Sequence, residues 1–286
     1  MVQLQQAKAK FRTRGINLAA VSYDNEAILK EFGARFRIEF PLLSDPRSEV
    51  IRRFDVLDPD NGPNNLPEYA KKDMAYPGFI YVDRNGVVRD KFFGGPYFDR
   101  YTANNTLGKL FPELLEGPGP PVKTSHLRAT PGQSDREATL GSRVTLTVEV
   151  ELPRGMHVYA PGAKNYLPVQ LFIAPADAAR PKESKYPRPE VMFLRAIKEK
   201  VPVYRGRFRL TQDVLIAPTR TLQESLKALG GGRENGVVLK LTGRLKYQAC
   251  GPTTCYLPAE VPLNWEVRVH APDDKRASEV VQDKPQ

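Results

Sequence analysis

Two cysteines, Cys250 and Cys255, are the only ones in 286 residues, and only Gly251-Pro252-Thr253-Thr254 stands between them. Those four residues are turn formers and alternating segments lie on either side, so the sulfurs are expected close together across the neck of a loop. A disulfide is sterically reasonable there. As a staple it would be a poor one: closing a ring of six residues stabilises by about 2 kcal/mol through loop entropy, against about 4.7 kcal/mol for a hundred-residue loop. Zinc is the weakest reading, because a structural site takes four ligands and His126, His157 and His270 lie far off without ligand spacing. A pair that cycles between dithiol and disulfide stands first, a structural disulfide second. Neither needs a metal or an organic cofactor.

Composition restricts the setting in which such a pair would work. A content of 41% hydrophobic and 27% charged residues is that of a soluble globular chain, long enough for two domains. No apolar run reaches the eighteen or so residues that span a bilayer. Met1 to Lys10 reads as an amphipathic helix and not as an export signal. The net charge of +10 is uneven, with +1 up to Val122 and +9 from Lys123 onward. The cations of the second half are scattered, as in Arg205, Arg207 and Arg209 at strand alternation, with neither aromatic interleaving nor a nucleic-acid motif. A solvated face is expected, and nucleic acid is not a partner; an acidic protein or an anionic membrane surface would suit the charge better.

The first half alternates helix and strand. Leu4, Ala7 and Phe11 recur at helical spacing and predict a helix that stops at Gly15. Ile16 to Val21 reads as a buried strand. A helix follows from about Asn25, with Ile28, Phe32 and Phe36 on one face. Phe40 to Leu43 reads as extended, and Asp45-Pro46 as the N-cap and first residue of a helix carrying Val50, Ile51 and Phe54. Asn85-Gly86 between two apolar runs predicts a hairpin, and a helix from about Asp99 to Leu115 closes the unit.

Leu115 to Val122 is a Pro and Gly linker. Beyond it the period becomes two: Val144 to Leu152, Val237 to Ala249 and Val261 to Val269 all alternate, and Trp265 falls on the inward parity. Short strands between Pro and Gly turns predict an all-β immunoglobulin-like sandwich. The boundaries read as 1–115, a linker at 116–122, a β-domain at 123–270 and a polar, disordered tail at 271–286. Extending the alternation places Cys250 with Lys246 and Gln248 on the outer side. Cys250 directly opposite Cys255 would set Leu245 against Glu260, so a bulge near Pro258 is required if these strands pair.

Three stretches of the first half carry a resemblance: Gly15 to Ser22, Phe40-Pro41-Leu42-Leu43-Ser44-Asp45-Pro46, and Pro77-Gly78-Phe79-Ile80-Tyr81-Val82-Asp83-Arg84-Asn85-Gly86. Over about residues 1–115 the chain resembles the redoxins of the alkyl hydroperoxide reductase and thiol-specific antioxidant type, which implies an α/β thioredoxin-like fold. Pro77 falls where such folds place a cis proline beside the active site. The chain departs from the pattern in having no cysteine before Cys250. The resemblance therefore implies a redoxin whose first strand and cysteine motif lie upstream of Met1. Peroxidase chemistry needs an activated thiolate, so none is expected from this half as it stands.

The second half carries another. Tyr247-Gln248-Ala249-Cys250, Cys255-Tyr256-Leu257-Pro258 and Val261-Pro262-Leu263, with Gly155 to Pro161 and Val201 to Gly206, resemble the amino-terminal periplasmic domain of the thiol:disulfide interchange protein DsbD. The resemblance implies a β-sandwich module that exchanges electrons with thiol-disulfide partner proteins, a membrane electron donor among them, in a periplasmic or other extracytoplasmic compartment. It also implies roles: Cys255 as the exposed sulfur that forms the mixed disulfide, Cys250 as the resolving one, and a shielding aromatic on a cap loop. Phe193, within Tyr186 to Lys200, is the candidate for that aromatic, and Tyr247 and Tyr256 would flank the sulfurs. All three also read as ordinary core positions. The rival to an electron relay is a non-enzymatic interaction module with a degenerate thioredoxin-like domain and a structural disulfide.

Overall fold

The computed structural model describes residues 1–57, 75–94, 99–115, 119–194, 198–230 and 235–271. These divide into two compact units, Met1–Leu110 and Phe111–Ala271. The tail at 272–286 and linker residues 116–118 lie outside the described residues.

In the first unit, α1 (Val2–Thr13) buries Ala7 and Phe11 at the spacing of one helical face. The following strand, β1 (Ala20–Ser22), begins later than the apolar run predicts, because its extent is set by its partner β2 (Leu42–Ser44), which it pairs in parallel. Between them runs α2 (Glu26–Phe36). Its N-cap Asn25 accepts the amide of Ile28, which satisfies one of the free donors of the first turn. Leu29 is its buried residue, while Ile28, Phe32 and Phe36 are half-buried, with the two phenylalanine rings 4.7 Å apart.

Helix α3 (Glu49–Arg53) starts four residues after Asp45, not directly at it, and its N-cap is Ser48 in the left-handed region. Asp45 still serves this helix: its two carboxylate oxygens accept the amides of Glu49 and Ile51. The hairpin predicted at Asn85-Gly86 is β3 (Gly78–Val82) with β4 (Val88–Phe93). Its turn is held by Asp83, whose Oδ1 accepts the amides of Asn85 and Val87, and Gly86 supplies the positive φ of 78° that the turn needs. The closing segment is not one helix. It divides into β5 (Arg100–Tyr101), α4 (Ala103–Leu110) and a 3₁₀ turn at Pro112–Leu114, since Pro112 has no amide to continue an α-helix.

Past that 3₁₀ turn, the described residues of the second unit form strands with one α-helix. In chain order these are β6 (Val122–Lys123), β7 (Arg128–Gln133), β8 (Glu137–Thr139), β9 (Ser142–Glu151), β10 (His157–Tyr159), β11 (Gln170–Ile173), β12 (Ala179–Lys185), β13 (Glu190–Leu194) and β14 (Glu199–Arg205). Then come β15 (Arg207–Ile216), α5 (Arg220–Ala228), β16 (Val237–Tyr247), β17 (Ala249–Cys250) and β18 (Ala259–His270). They form three sheets, ordered β12-β15-β9-β7-β6, β11-β16-β18-β8 and β13-β14-β10-β17.

The main core draws on the first two sheets: Val144, Leu146, Val148 and Val150 of β9 meet Leu241, Leu245, Val261, Leu263, Trp265 and Val267 of β16 and β18. Strand β18 alternates strictly, with every odd residue from Val261 to Val269 buried and every even one from Glu260 to Arg268 exposed. Trp265 donates its indole N–H to Gly132 O at 2.9 Å, so the one polar atom of the ring is paired. Room for the ring comes from Gly243, where a Cβ would lie 2.5 Å from Phe172 O and 3.1 Å from the indole.

The third, smaller sheet presents one face to that core through Val158, Tyr204 and Ala249, and gathers a second cluster on the other: Tyr159, Val201, Val203 and Cys250. That second face holds the chemistry.

Candidate functional site

The chain leaves the sheet of β16 before it delivers the first cysteine. Up to Tyr247 it pairs β18 in a register that puts Leu245 opposite Val261 and Tyr247 opposite Ala259. At Gln248 the chain crosses over, and β17 pairs β10 with Ala249 opposite Val158 and Cys250 opposite His157. The expectation that Cys250 continues the outer parity is therefore corrected: Cys250 is 1% exposed, because a change of sheet intervenes. A bulge near Pro258, or strands that are not simple hairpin partners, is required, and the second holds, since β17 pairs β10. Gln248 and Ala249 separate Tyr247 from Cys250, whereas Tyr256, Leu257 and Pro258 separate Cys255 from Ala259, so one extra residue is accommodated on the returning side. Gln248 Nε2 donates to Tyr256 O at 3.0 Å, and Tyr256 N to Ala249 O at 2.9 Å, which holds the offset in place.

Cys250 and Cys255 face each other as a bridge pair and are joined by a disulfide, with Cα atoms 4.0 Å apart. Gly251 N donates to Thr254 O at 2.8 Å to close the loop. The two sulfurs differ in access: Cys250 is buried, while Cys255 is exposed together with Tyr256 and Leu257. An attacking group from solvent can reach only the second.

The hydroxyl of Tyr159, on β10, lies 3.6 Å from the sulfur of Cys250 and 3.6 Å from that of Cys255. Neither disulfide sulfur carries a hydrogen, so the tyrosine O–H is the donor. Burial pushes the Tyr159 hydroxyl up from its ordinary value, which keeps it protonated and donating near neutral pH. Its ring is stacked on Tyr166 at 4.3 Å, and Tyr166 in turn donates to Glu199 Oε2 at 3.1 Å. Met192 and Leu194 of β13 pack against the same cluster and complete an apolar wall around Cys250. His157 sits beside them, 5% exposed, with its ring edge-on to Tyr159 at 5.5 Å. Burial, and then the Arg205 guanidinium, lower its pKa, so the ring is neutral near pH 7.

The aromatic residues expected at the site divide. Phe193 lies on β13, a strand of a hairpin with β14 and not a loop, and is 54% exposed. Alternation turns it with Val191 to the face opposite Met192 and Leu194, so the apolar shield over Cys250 comes from its neighbours. Tyr247 belongs to the main core, where its hydroxyl shares a 3.0 Å hydrogen bond with Thr124 Oγ1. Tyr256 is exposed beside Cys255, its ring 4.1 Å from that of His126. Lys246 lies on the outer side of the β16–β18 ladder opposite Glu260.

Pro77 is in the first unit, just before β3. Among the described residues no peptide bond is cis, so the expected cis Tyr76–Pro77 bond is trans. Ala75 bridges Leu57 and Tyr76 N donates to Val56 O, and the chain then enters β3 through a bend at Pro77. Tyr159, Tyr166 and His157 are the site residues that spacing around the cysteines did not reveal. Two of them stand in the Gly155 to Pro161 stretch that carried the second resemblance, and strand pairing brings them to the sulfurs across ninety-odd residues of sequence.

Alkyl hydroperoxide reductase C from two strains of Staphylococcus epidermidis is 30% identical over 90 residues, which cover 30% of this chain and 42% of each relative. The chain thus spans about two fifths of the length of the curated relatives it matches. Among solved structures, the N-terminal periplasmic domain of ScsB from Proteus mirabilis aligns at 11% identity with a TM-score of 0.36, over 52% of this chain and 51% of that one. The reduced DsbD N-terminal domain of Neisseria meningitidis aligns at 14% with a TM-score of 0.29, over 43% and 77%. Among the described residues no helix is long and apolar enough to cross a membrane. Residues 1–91 match the AhpC/TSA family, and the cysteine pair lies outside that match.

Proposed function

We propose that this chain is a thiol-disulfide oxidoreductase that relays electron pairs through Cys250 and Cys255. The observation that carries the reading is the asymmetry of the disulfide: one sulfur exposed, one buried, and a tyrosine hydroxyl 3.6 Å from both. A partner's thiolate attacks Cys255 Sγ, the S–S bond breaks, and Cys250 leaves with the electron pair as a thiolate. Tyr159 donates to the sulfur that gains the charge. A second partner thiolate then attacks the partner's sulfur of the mixed disulfide and frees Cys255 as a thiolate; in the reverse direction Cys250 attacks Cys255 Sγ, re-forms the Cys250–Cys255 bond and releases the partner's thiolate. No metal or organic cofactor enters the exchange.

On this reading the second unit is the exchange module, an immunoglobulin-like domain over 123–270, working in an oxidising extracytoplasmic compartment where such bonds persist. Its partners are thiol-disulfide proteins, a membrane-held donor among them. The thioredoxin-like domain over 1–115, which takes in the first unit, contains no cysteine, so it contributes docking and not peroxide chemistry in this chain. That same lack of a thiol favours a second reading, in which both units bind a partner and the disulfide is structural.

The reduction potential separates the two. Equilibrating the protein in defined thiol buffers and counting alkylated sulfurs by mass gives the value directly. Exchange proteins lie at roughly −120 to −270 mV, and a result in that interval supports the relay. A potential below about −300 mV identifies a structural disulfide and overturns it.

A further inference from the structure

We infer that His157 is the proton acceptor for Cys250 when the pair is reduced, so that the buried sulfur can resolve a mixed disulfide near neutral pH. The inference rests on the exchange reading above and assigns one of its steps.

Strand β10 lies between β14 and β17, and the antiparallel register sets His157 opposite Cys250 on one side and opposite Arg205 on the other. Directly opposed residues of an antiparallel pair send their side chains to one face, with Cβ atoms about 4.5–5.5 Å apart. His157 is 5% exposed, and its Nε2 is buried without a hydrogen-bond partner. A buried polar atom left unpaired calls for a reason. The groups facing it are few. Arg205 on β14 is ion-paired to Glu190 of β13, Tyr159 on its own strand presents a ring edge, and β17 presents Cys250. The Tyr159 hydroxyl is already directed at the sulfurs.

The disulfide explains the missing partner. Cys250 Sγ bonded to Cys255 has no hydrogen to donate, whereas Cys250 as a thiol has one. With the ring proton on Nδ1, Nε2 is an acceptor that is satisfied only in the dithiol state. When a partner is held on Cys255 through a mixed disulfide, the S–H proton of Cys250 passes to Nε2. The Cys250 thiolate then attacks Cys255 Sγ, the Cys250–Cys255 bond forms, and the partner's sulfur leaves with the electron pair of the broken bond. The imidazolium releases its proton to that thiolate or to water. In the opposite direction the imidazolium returns a proton to Cys250 as the disulfide opens. A ring held neutral by burial and by Arg205 is in the accepting form at pH 7.

The test uses the reduced full chain and 5,5′-dithiobis(2-nitrobenzoate) in stopped flow. Cys255 releases the first thionitrobenzoate, and Cys250 releases the second by resolving the mixed disulfide. The parent's second phase is expected to stay nearly flat from pH 6.5 to 8.5. In His157→Gln it should fall about a hundredfold at pH 7 and climb about tenfold per pH unit as the thiol ionises on its own, with the first phase unchanged. A second phase in the variant that keeps the parent's rate and pH dependence overturns the inference. Proton NMR of the imidazole C–H groups in the unsubstituted chain gives a check free of folding effects. The His157 titration should differ between disulfide and dithiol forms, and an identical titration in both also overturns it. A reduced parent that shows no first phase at all overturns the exchange reading, and this inference with it.

Discussion

Tyr159→Phe is the substitution that bears most directly on the geometry of the pair. It deletes one oxygen that lies 3.6 Å from each sulfur and keeps the ring that stacks on Tyr166 at 4.3 Å. A hydrogen bond to a charged acceptor contributes about 1.5–3 kcal/mol net, and a contact to sulfur at 3.6 Å belongs at or just under the lower end. Taking about 1.4 kcal/mol, the thiolate loses the equivalent of one pKa unit of stabilisation. The disulfide sulfurs are weak, uncharged acceptors, so the loss falls on the reduced, ionised state and little of it on the folded oxidised protein. The assay is the pH dependence of iodoacetamide alkylation of the reduced chain, read at Cys255 by peptide mass. Its midpoint should rise by about one unit, and the rate at pH 7 should fall about tenfold, since the thiolate is the species that reacts. Burial keeps the Tyr159 hydroxyl protonated across this range, so its own ionisation does not enter the profile. Superimposable profiles for parent and variant would refute the claim that this hydroxyl stabilises the thiolate.

Three further outcomes follow from the packing around the site. Gly243→Ala should destabilise the second unit by about 1–3 kcal/mol in urea unfolding, because the new methyl would sit 2.5 Å from Phe172 O and 3.1 Å from the Trp265 ring. Tyr247→Phe should cost about 1 kcal/mol through the lost bond to Thr124 Oγ1 and leave the exchange rate at Cys255 unchanged, which separates a core tyrosine from one at the site. Stability should also fall with acidification: His157 binds its proton less readily in the fold than in the unfolded chain, so its contribution is whole above the ordinary imidazole value near pH 6.5 and is lost as pH falls toward the folded pKa. Urea midpoints at pH 7.5 and 5.5 should therefore converge in His157→Gln relative to the parent.

The sequence carried the parts of this site that depend on local pattern and missed those that depend on pairing. The Asn85-Gly86 hairpin and the inward parity of Val261 to Val269 follow from turn chemistry and period two, and both are in the structure. The late start of α3 was not legible, because Asp45 reaches forward to the amides of Glu49 and Ile51 and leaves Ser48 at the boundary. The burial of Cys250 was hidden for a related reason. Parity assumes that a strand stays in its sheet, and β16 does not: at Gln248 the chain passes from β18 to β10, so the count of alternating positions restarts on a different surface. Yet the conflict between the Cys250–Cys255 pairing and the inward residues Val261 and Leu263 already required an irregularity near Pro258. That conflict is how a sequence records a sheet switch. Its consequence is chemical: the crossing carries Cys250 from the large sheet onto a small face already occupied by Tyr159 and His157, while Cys255, one residue beyond the turn, stays in solvent. The difference between the two sulfurs, on which the proposed exchange depends, is thus produced by the backbone register and not by the cysteine spacing.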